Sequence, residues 1–217
     1  MNETGSQMFS LATQREEALE AARRAVLQGQ CVVLPTDTVY GVGAGAFDPE
    51  AVARLLAAKQ RGRDMPAPVL IAEASMLRAL TAELPEAAKA LVDRFWPGAL
   101  TVILPAQRAL KLDLGEAEGT VAVRVPDHDD ARDLLRRTGP LAVSSANVTG
   151  APAATTAEAA QEMLGEAVAV YLDGGQAPGG AASTIVDFTV TDHGRVLRPG
   201  AISVEELREV VPEIQAD

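Results

Sequence analysis

Residues 48–72, DPEAVARLLAAKQRGRDMPAPVLIA, contain a complete predicted helix followed by a predicted strand. Asp48 and Pro49 are typical of an N-cap and of the first helical position. The helix is predicted to end near Lys59, and prolines break the chain before the apolar strand at Val69–Ala72. The apolar stripe of the helix consists of Val52, Leu55 and Leu56. A helix that leads into a strand in this way is typical of a domain that mixes α and β structure.

Helix and strand signals alternate along the rest of the chain. Capping and proline signals predict helices that begin at Thr13, Pro85, Asp129, Thr155 and Ser203. Apolar runs predict strands at Cys31–Leu34, Leu100–Leu104, Leu141–Val143 and Thr184–Val190. Residues 120–126 alternate, so that Ala122 and Arg124 should lie on the face opposite the valines. We therefore predict a mixed α/β (α+β) fold with a substantial sheet, in one domain over residues 1–217.

Composition limits the classes of function. The chain has 217 residues, 47% of them hydrophobic and 3% aromatic, with a net charge of -11. No apolar run approaches the roughly 18 residues of a membrane span, and the N-terminus lacks a secretory pattern. One cysteine, Cys31, excludes an intramolecular disulfide framework. We expect a cytoplasmic protein without a membrane partner, whose acidic balance disfavours avid nucleic-acid binding.

The basic cluster Lys59–Arg63 stands out in this acidic chain. Three cations in five residues repel one another, so their concentration favours a bound anion, most simply the phosphates of a nucleotide. The alternative is that cations at a helix C-terminus only complement the helix dipole. The cluster alone leaves both interpretations open.

Several familiar site types do not fit the sequence. The run Gly41–Ala46 matches G-x-G-x-x-A, but six residues separate it from the preceding strand, so we expect a loop that passes close to a ligand or another segment. The two histidines, His128 and His193, have no paired ligands at metal-binding spacing. Ser144 and Ser145 lack the glycines of a nucleophile elbow. Covalent nucleophilic catalysis is not indicated, and Cys31 is predicted to be a core residue.

Polar segments instead adjoin several predicted strands. These segments are Pro35–Gly41, Ser144–Asn147, Ser183–Thr184 and Arg198–Gly200. Strand ends are where α/β proteins tend to place ligand contacts. Together they supply hydroxyls, an amide and guanidinium groups, which suit a small polar ligand with a phosphate chain.

The chain resembles the YrdC-type threonylcarbamoyl-AMP synthases in the joint order of these polar segments and several further motifs. The resemblance covers about residues 16–203. Its motifs are PTDTVYGVG at 35–43, the K-x-R pair Lys59 and Arg61, FWPG at 95–98, VAVRVP at 121–126, the S-x-N pair Ser145 and Asn147, STIVD at 183–187 and RPG at 198–200. It implies a twisted mixed sheet with helices around a large concave cavity. It also implies an enzyme that condenses L-threonine, bicarbonate and ATP to threonylcarbamoyl-AMP and pyrophosphate, for modification of adenosine 37 in certain tRNAs.

The resemblance also implies roles for particular residues. Thr36 and Ser183 would contact threonine, and Arg124 would lie beside threonine or the reacting carboxylate. Lys59 and Arg63, with Arg61 nearby, would bind the ATP phosphates, and Mg²⁺ is expected as the ATP counter-ion. The remaining nucleotide contacts would come from Thr120, Ser145, Asn147 and Arg198. Lys59, Arg61 and Arg124 are the expected catalytic residues, and no protein ligand for a metal is predicted.

Two points limit the resemblance, and two other functions stay open. We expect the short form of the family, without an extra C-terminal domain, and the motif does not say whether Arg61 or Arg63 contacts phosphate. The product would pass to a tRNA threonylcarbamoyl transferase complex, with weak or absent tRNA binding by this chain. The alternatives are carbamoyl transfer from carbamoyl phosphate and non-catalytic binding of tRNA or double-stranded RNA.

Overall fold

The structure, a computed structural model, describes residues 5–110, 112–117 and 119–216. A ten-stranded mixed sheet runs through this part of the chain in the order β1-β8-β2-β3-β7-β4-β6-β5-β9-β10. The strands are β1 (Gln7–Ser10), β2 (Val32–Leu34), β3 (Gly41–Gly45), β4 (Val69–Leu70), β5 (Leu100–Pro105), β6 (Thr120–Arg124), β7 (Leu141–Ser145), β8 (Val170–Asp173), β9 (Thr184–Asp187) and β10 (Arg195–Arg198). The predicted mixed α/β fold is confirmed.

Helices cover the sheet, and several begin where local chemistry predicts. They are α1 (Leu11–Leu27), α2 (Pro49–Ala58), α3 (Leu77–Leu80), α4 (Glu86–Phe95), α5 (Asp129–Thr138), α6 (Ala157–Leu164) and α7 (Val204–Val210). Asp48 caps α2 by accepting hydrogen bonds from the amides of Glu50 and Ala51. Ser203 and Glu206 form the predicted reciprocal capping box of α7. No helix within the described residues is both long and apolar enough to cross a membrane.

The strands carry apolar side chains on both faces. Val32 and Leu34 belong to one core cluster and Val33 to the other, because successive side chains of a strand point to opposite sides. Helices α1 and α5 contribute Leu19 and Leu134 to the first of these cores, whereas the other core receives residues from α2 and α4. Both faces of the sheet are therefore covered by helices.

Several predicted element boundaries are wrong. The predicted capping box at Thr13 lies inside α1, which begins at Leu11, and Gln14 has non-helical backbone angles there. Helix α6 is capped by Thr156 rather than Thr155. The strand predicted to reach Val190 ends at Asp187. In the first case Leu11 packs into the apolar core, so that tertiary packing extends the helix beyond its local signal.

The run Gly41–Gly45 is a central strand, not the expected loop. It pairs antiparallel with β2 on one side and with β7 on the other. A Cβ atom at Gly41 or Gly43 would lie 2.7 or 2.8 Å from a methyl group of Val143. The close approach to another segment is thus confirmed, although a strand makes it.

Replacing Gly43 with alanine is expected to lower the free energy of unfolding by about 1–3 kcal/mol, because the new methyl group overpacks against Val143. Urea denaturation of the variant measures this change. Gly45→Ala in the same strand is the matched control, since its Cβ would have its nearest neighbours at 3.9 Å. Equal effects of the two substitutions would contradict a packing origin.

Candidate active site

A concave cavity of about 410 Å³ lies over the middle of the sheet. Its wall is formed by the loop between β2 and β3, the segment after α2, strands β5, β6 and β7, and the residues around β9 and β10. One part is apolar and includes Met65, Pro66, Leu114, Val121 and Ile185. The hydroxyl-bearing part includes Thr36, Thr38, Thr101, Thr120, Ser145 and Ser183, and the cationic residues are Arg61, Arg124 and Arg198. Such a mixture can hold a ligand that is apolar at one end and anionic at the other.

Arg124 is held on three sides at the end of β6. Its Nη2 donates to Asp37 Oδ1 at 2.6 Å, its Nη1 to Thr38 Oγ1 at 3.1 Å, and its Nε to the carbonyl of Gly98 at 2.9 Å. The residue is only 7% exposed. The alternation of β6 is as predicted, since the neighbouring Val123 is fully buried in the core.

Arg198 is hydrogen-bonded to Ser183 at the cavity wall. Its Nη2 donates to the Ser183 carbonyl at 2.8 Å and to Ser183 Oγ at 3.1 Å. Ser183 Oγ also lies 2.9 Å from Thr101 Oγ1. Thr36 lies in the loop after β2, where its Oγ1 donates to the carbonyl of Val39 at 2.6 Å. The cavity thus presents hydroxyls whose positions are fixed by neighbours before any ligand binds.

Arg61 is the member of the basic cluster that reaches the cavity wall. Its Nε donates to the carbonyl of Met65 at 2.6 Å, and its Nη1 donates to Ser144 Oγ at 3.1 Å. Arg63 is half-exposed, forms an ion pair with Asp113 and is not among the residues that line the cavity. Backbone geometry therefore separates two arginines that the sequence places only two residues apart.

The cavity carries an excess of positive charge. Burial lowers the pKa of Arg61 and of Arg124, and the nearby Arg198 lowers both further. Burial also lowers the pKa of Arg198 itself. Among the described residues Asp37 is the one carboxylate that forms a salt bridge with any of the three. Guanidinium groups stay protonated in proteins, so this repulsion is relieved most simply by a bound anion.

Lys59 is buried below the cavity wall. Its Nζ donates to the carbonyls of Ser145 at 2.5 Å and Asn147 at 2.7 Å. Burial lowers its pKa to about 8, and Arg61 contributes in the same direction. The Asn147 amide nitrogen donates to Val148 and Ala151 carbonyls, whereas its buried Oδ1 has no partner within the described residues. Lys59 therefore supports the backbone that carries the predicted S-x-N pair.

The structure brings most of the predicted site residues to one cavity. Those that line it are Thr36, Arg61, Thr120, Ser145, Ser183, Arg124 and Arg198, whereas Lys59, Arg63 and Asn147 do not. Sequence reasoning missed Asp37, Thr38 and Thr101. The first two belong to a motif that the sequence analysis quoted, but Thr101 lies within an apolar strand and carries no local signal.

Comparisons with known proteins identify the family to which the chain belongs. The family model for Sua5, YciO and YrdC proteins, described as telomere recombination, matches residues 24–200. The chain belongs to the Sua5/YciO/YrdC family. A Mycobacterium tuberculosis protein assigned as a threonylcarbamoyl-AMP synthase is 50% identical over 198 residues, which are 91% of either chain.

Two further members of the Sua5/YciO/YrdC family are longer. The Bacillus subtilis threonylcarbamoyl-AMP synthase is 42% identical over 192 residues, 88% of this chain and 55% of its own. Pyrococcus abyssi Sua5, solved as a complex with L-threonine, superposes with a TM-score of 0.87 at 37% identity. That match covers 92% of this chain and 58% of the other. The chain thus spans little more than half the length of these two relatives. The names of the Mycobacterium tuberculosis and Bacillus subtilis relatives indicate a nucleotidyltransferase-type enzyme.

Proposed function

We propose that this protein is an L-threonylcarbamoyladenylate synthase, which condenses L-threonine, bicarbonate and ATP and releases pyrophosphate. The observation that carries the proposal is the cluster of Arg61, Arg124 and Arg198 around one cavity. Of these three, Arg124 alone forms a salt bridge among the described residues, with Asp37. Two anions must meet in this reaction, the carbamate of threonine and the triphosphate of ATP. A cavity with unneutralised cations suits their encounter.

The chemistry needs little covalent participation by the protein. The threonine amine takes up bicarbonate to form a carbamate, with loss of water. A carbamate oxygen then attacks the α-phosphorus of ATP, the bond to the β-phosphate oxygen breaks, and pyrophosphate leaves. The guanidinium groups stabilise the charge that develops on the leaving group, and the fixed hydroxyls align the two substrates. The protein therefore acts mainly through positioning and electrostatics.

We assign the threonine subsite to Thr36, Ser183 and Arg124. Threonine binding by Pyrococcus abyssi Sua5 supports this substrate. Ser183 is only 6% exposed and its hydroxyl is already engaged by Thr101 and Arg198, so its position is fixed. A buried polar group left without its partner costs about 1–3 kcal/mol, which would favour threonine over an analogue without the hydroxyl group.

We assign the phosphate subsite to Arg61, since its guanidinium lies at the cavity wall. Lys59 supports that subsite through the Ser145 and Asn147 carbonyls. The predictions that Lys59 and Arg63 themselves bind phosphate stay predictions. The same holds for nucleotide contacts from Thr120, Ser145, Asn147 and Arg198.

The remaining features of the proposal lie outside the cavity. We propose that magnesium enters as the counter-ion of ATP. The described residues contain no group of three or more His, Cys, Asp and Glu side chains that could hold a metal, so we place no protein ligand on the ion and derive no step through it. We also propose a single domain over residues 1–217, transfer of the product to a tRNA threonylcarbamoyl transferase complex, weak or absent tRNA binding, and a cytoplasmic location.

The test is pyrophosphate release from ATP by the purified protein, with threonine and bicarbonate each omitted in turn. We expect release only when both are present, together with an AMP-linked product. Release with carbamoyl phosphate in place of threonine and bicarbonate would favour the carbamoyl-transfer alternative. Salt-dependent tRNA binding without ATP consumption would favour the RNA-binding alternative.

A further inference from the structure

Asp37 is a carboxylate beside Arg124 that is not among the residues lining the cavity. The side chains of the pair are 15% and 8% exposed, respectively. A single oxygen of Asp37, Oδ1, accepts both from Arg124 Nη2 at 2.6 Å and from the backbone amide of Asp127 at 3.0 Å. Asp37 is therefore anchored to the segment after β6 and contacts Arg124 from a fixed position.

The surroundings of Arg124 leave part of its guanidinium free for a ligand. Each of its three nitrogens donates once within the protein, to Asp37, to Thr38 and to the Gly98 carbonyl. A guanidinium group has five N–H donors in a rigid plane, so two of them remain. Because Arg124 also lines the cavity, the three internal contacts fix the plane in which those two donors lie.

We propose that Asp37 is a positioning residue, which orients the Arg124 guanidinium toward the carboxylate group of the amino-acid substrate. This inference rests on the proposed function. Burial and the nearby Arg198 both lower the pKa of Arg124, and the Asp37 carboxylate acts in the opposite direction. With a neutral residue at position 37, the Arg124 guanidinium would be less well oriented and its positive charge would lack a nearby negative partner. The cavity as a whole would become more positive.

Asp37→Asn tests the orientation and the charge compensation of Arg124 through two different constants. Asparagine keeps the shape and one acceptor oxygen of aspartate but removes its charge. The Michaelis constant for threonine should rise about tenfold, as expected for the loss of a charge-assisted hydrogen bond that orients a ligand group. The Michaelis constant for ATP should stay unchanged or fall, because the cluster of cations loses its negative partner. Pyrophosphate release measures both constants. A merely structural role would instead raise both together or lower kcat alone.

Asp93→Asn is the matched control, since this exposed carboxylate on α4 pairs with Lys89 and removal of its charge should change neither constant. Arg124→Lys removes the group that Asp37 orients, so Asp37→Asn should add little to the threonine constant in that background. Equal changes in the two Michaelis constants, or additive effects in the double variant, would overturn the positioning role.

Thr38→Val provides a second route if Asp37→Asn unfolds, as judged from its thermal transition. It removes the Thr38 hydroxyl, which accepts from Arg124 and also lies 3.0 Å from Thr36 Oγ1, without changing any charge. The threonine constant should rise by a smaller factor at constant ATP affinity. A wild-type protein that shows no threonine-dependent release would contradict the proposed function. If the wild type releases pyrophosphate in response to threonine but neither variant raises the threonine constant relative to the ATP constant, only the role of Asp37 would be contradicted.

Discussion

Arg61→Ala is expected to reduce kcat for pyrophosphate release at least about a hundredfold. Removal of one fixed donor that stabilises developing charge typically costs 10²–10³ in rate. Arg61 lies at the cavity wall and is held there by the Met65 carbonyl and the Ser144 hydroxyl. The other two cations of the cluster are engaged elsewhere, Arg63 by Asp113 and Lys59 by backbone carbonyls. Initial rates at saturating ATP and threonine measure the loss. Arg61→Lys should recover only part of it, because an ammonium lacks the planar fork.

Arg63→Ala is the informative comparison, because the sequence does not distinguish the two arginines. Arg63 pairs with Asp113 at the surface, so we expect a loss much smaller than that of Arg61→Ala. Arg78→Ala, which removes an exposed cation of α3, should leave the rate unchanged. A larger loss for Arg63→Ala than for Arg61→Ala would move the phosphate subsite to Arg63.

Lys59→Met is expected to lower the free energy of unfolding by about 1–3 kcal/mol and to reduce activity as well. The Asn147 carbonyl would lose the Lys59 ammonium as its donor, and an unsatisfied buried acceptor carries a cost of this size. The Ser145 carbonyl would keep a hydrogen bond from the Asn147 amide at 2.9 Å. Lys59→Ala should destabilise further, because it also leaves a cavity. Inactivation would thus come with a loss of stability. If Lys59 only bound phosphate, its replacement would lower activity and leave stability unchanged.

Urea denaturation measures these stabilities, and Lys89→Met on the exposed face of α4 is the control, expected to lie within about 0.5 kcal/mol of the wild type. The pH dependence gives a second readout. The folded-state pKa of Lys59, about 8, lies below the usual 10.5. Its contribution to stability is therefore greatest above pH 10.5 and is lost as the pH falls to about 8. Lys59→Met should remove that dependence. A pH dependence that is unchanged in Lys59→Met would show that the buried Lys59 ammonium is not the group that titrates in this range.

Local sequence chemistry predicted much of the secondary structure. Asp48 and Ser203 cap helices because their side chains bond to amides two or three residues away, and such contacts do not depend on the rest of the fold. The Thr13 signal failed because Leu11 packs against the sheet and extends the helix. The run Gly41–Ala46 was predicted as a loop because six residues separate it from the preceding predicted strand. Gly41–Gly45 instead forms a strand between β2 and β7, where Val143 fills the space that side chains would occupy.

The fold class, the family resemblance and the chemical types of the site residues could all be inferred from the sequence. Which of those residues lie together depends on the tertiary structure. Asp37 and Arg124 are 87 residues apart, and Arg198 reaches Ser183 only because β10 pairs with β9. It also separated Arg61 at the cavity wall from Arg63 at the surface, and placed Lys59 under backbone carbonyls. Local sequence patterns report contacts within one or two helical turns, whereas strand pairing brings distant side chains within hydrogen-bond distance. The charge balance of the cavity follows from that pairing.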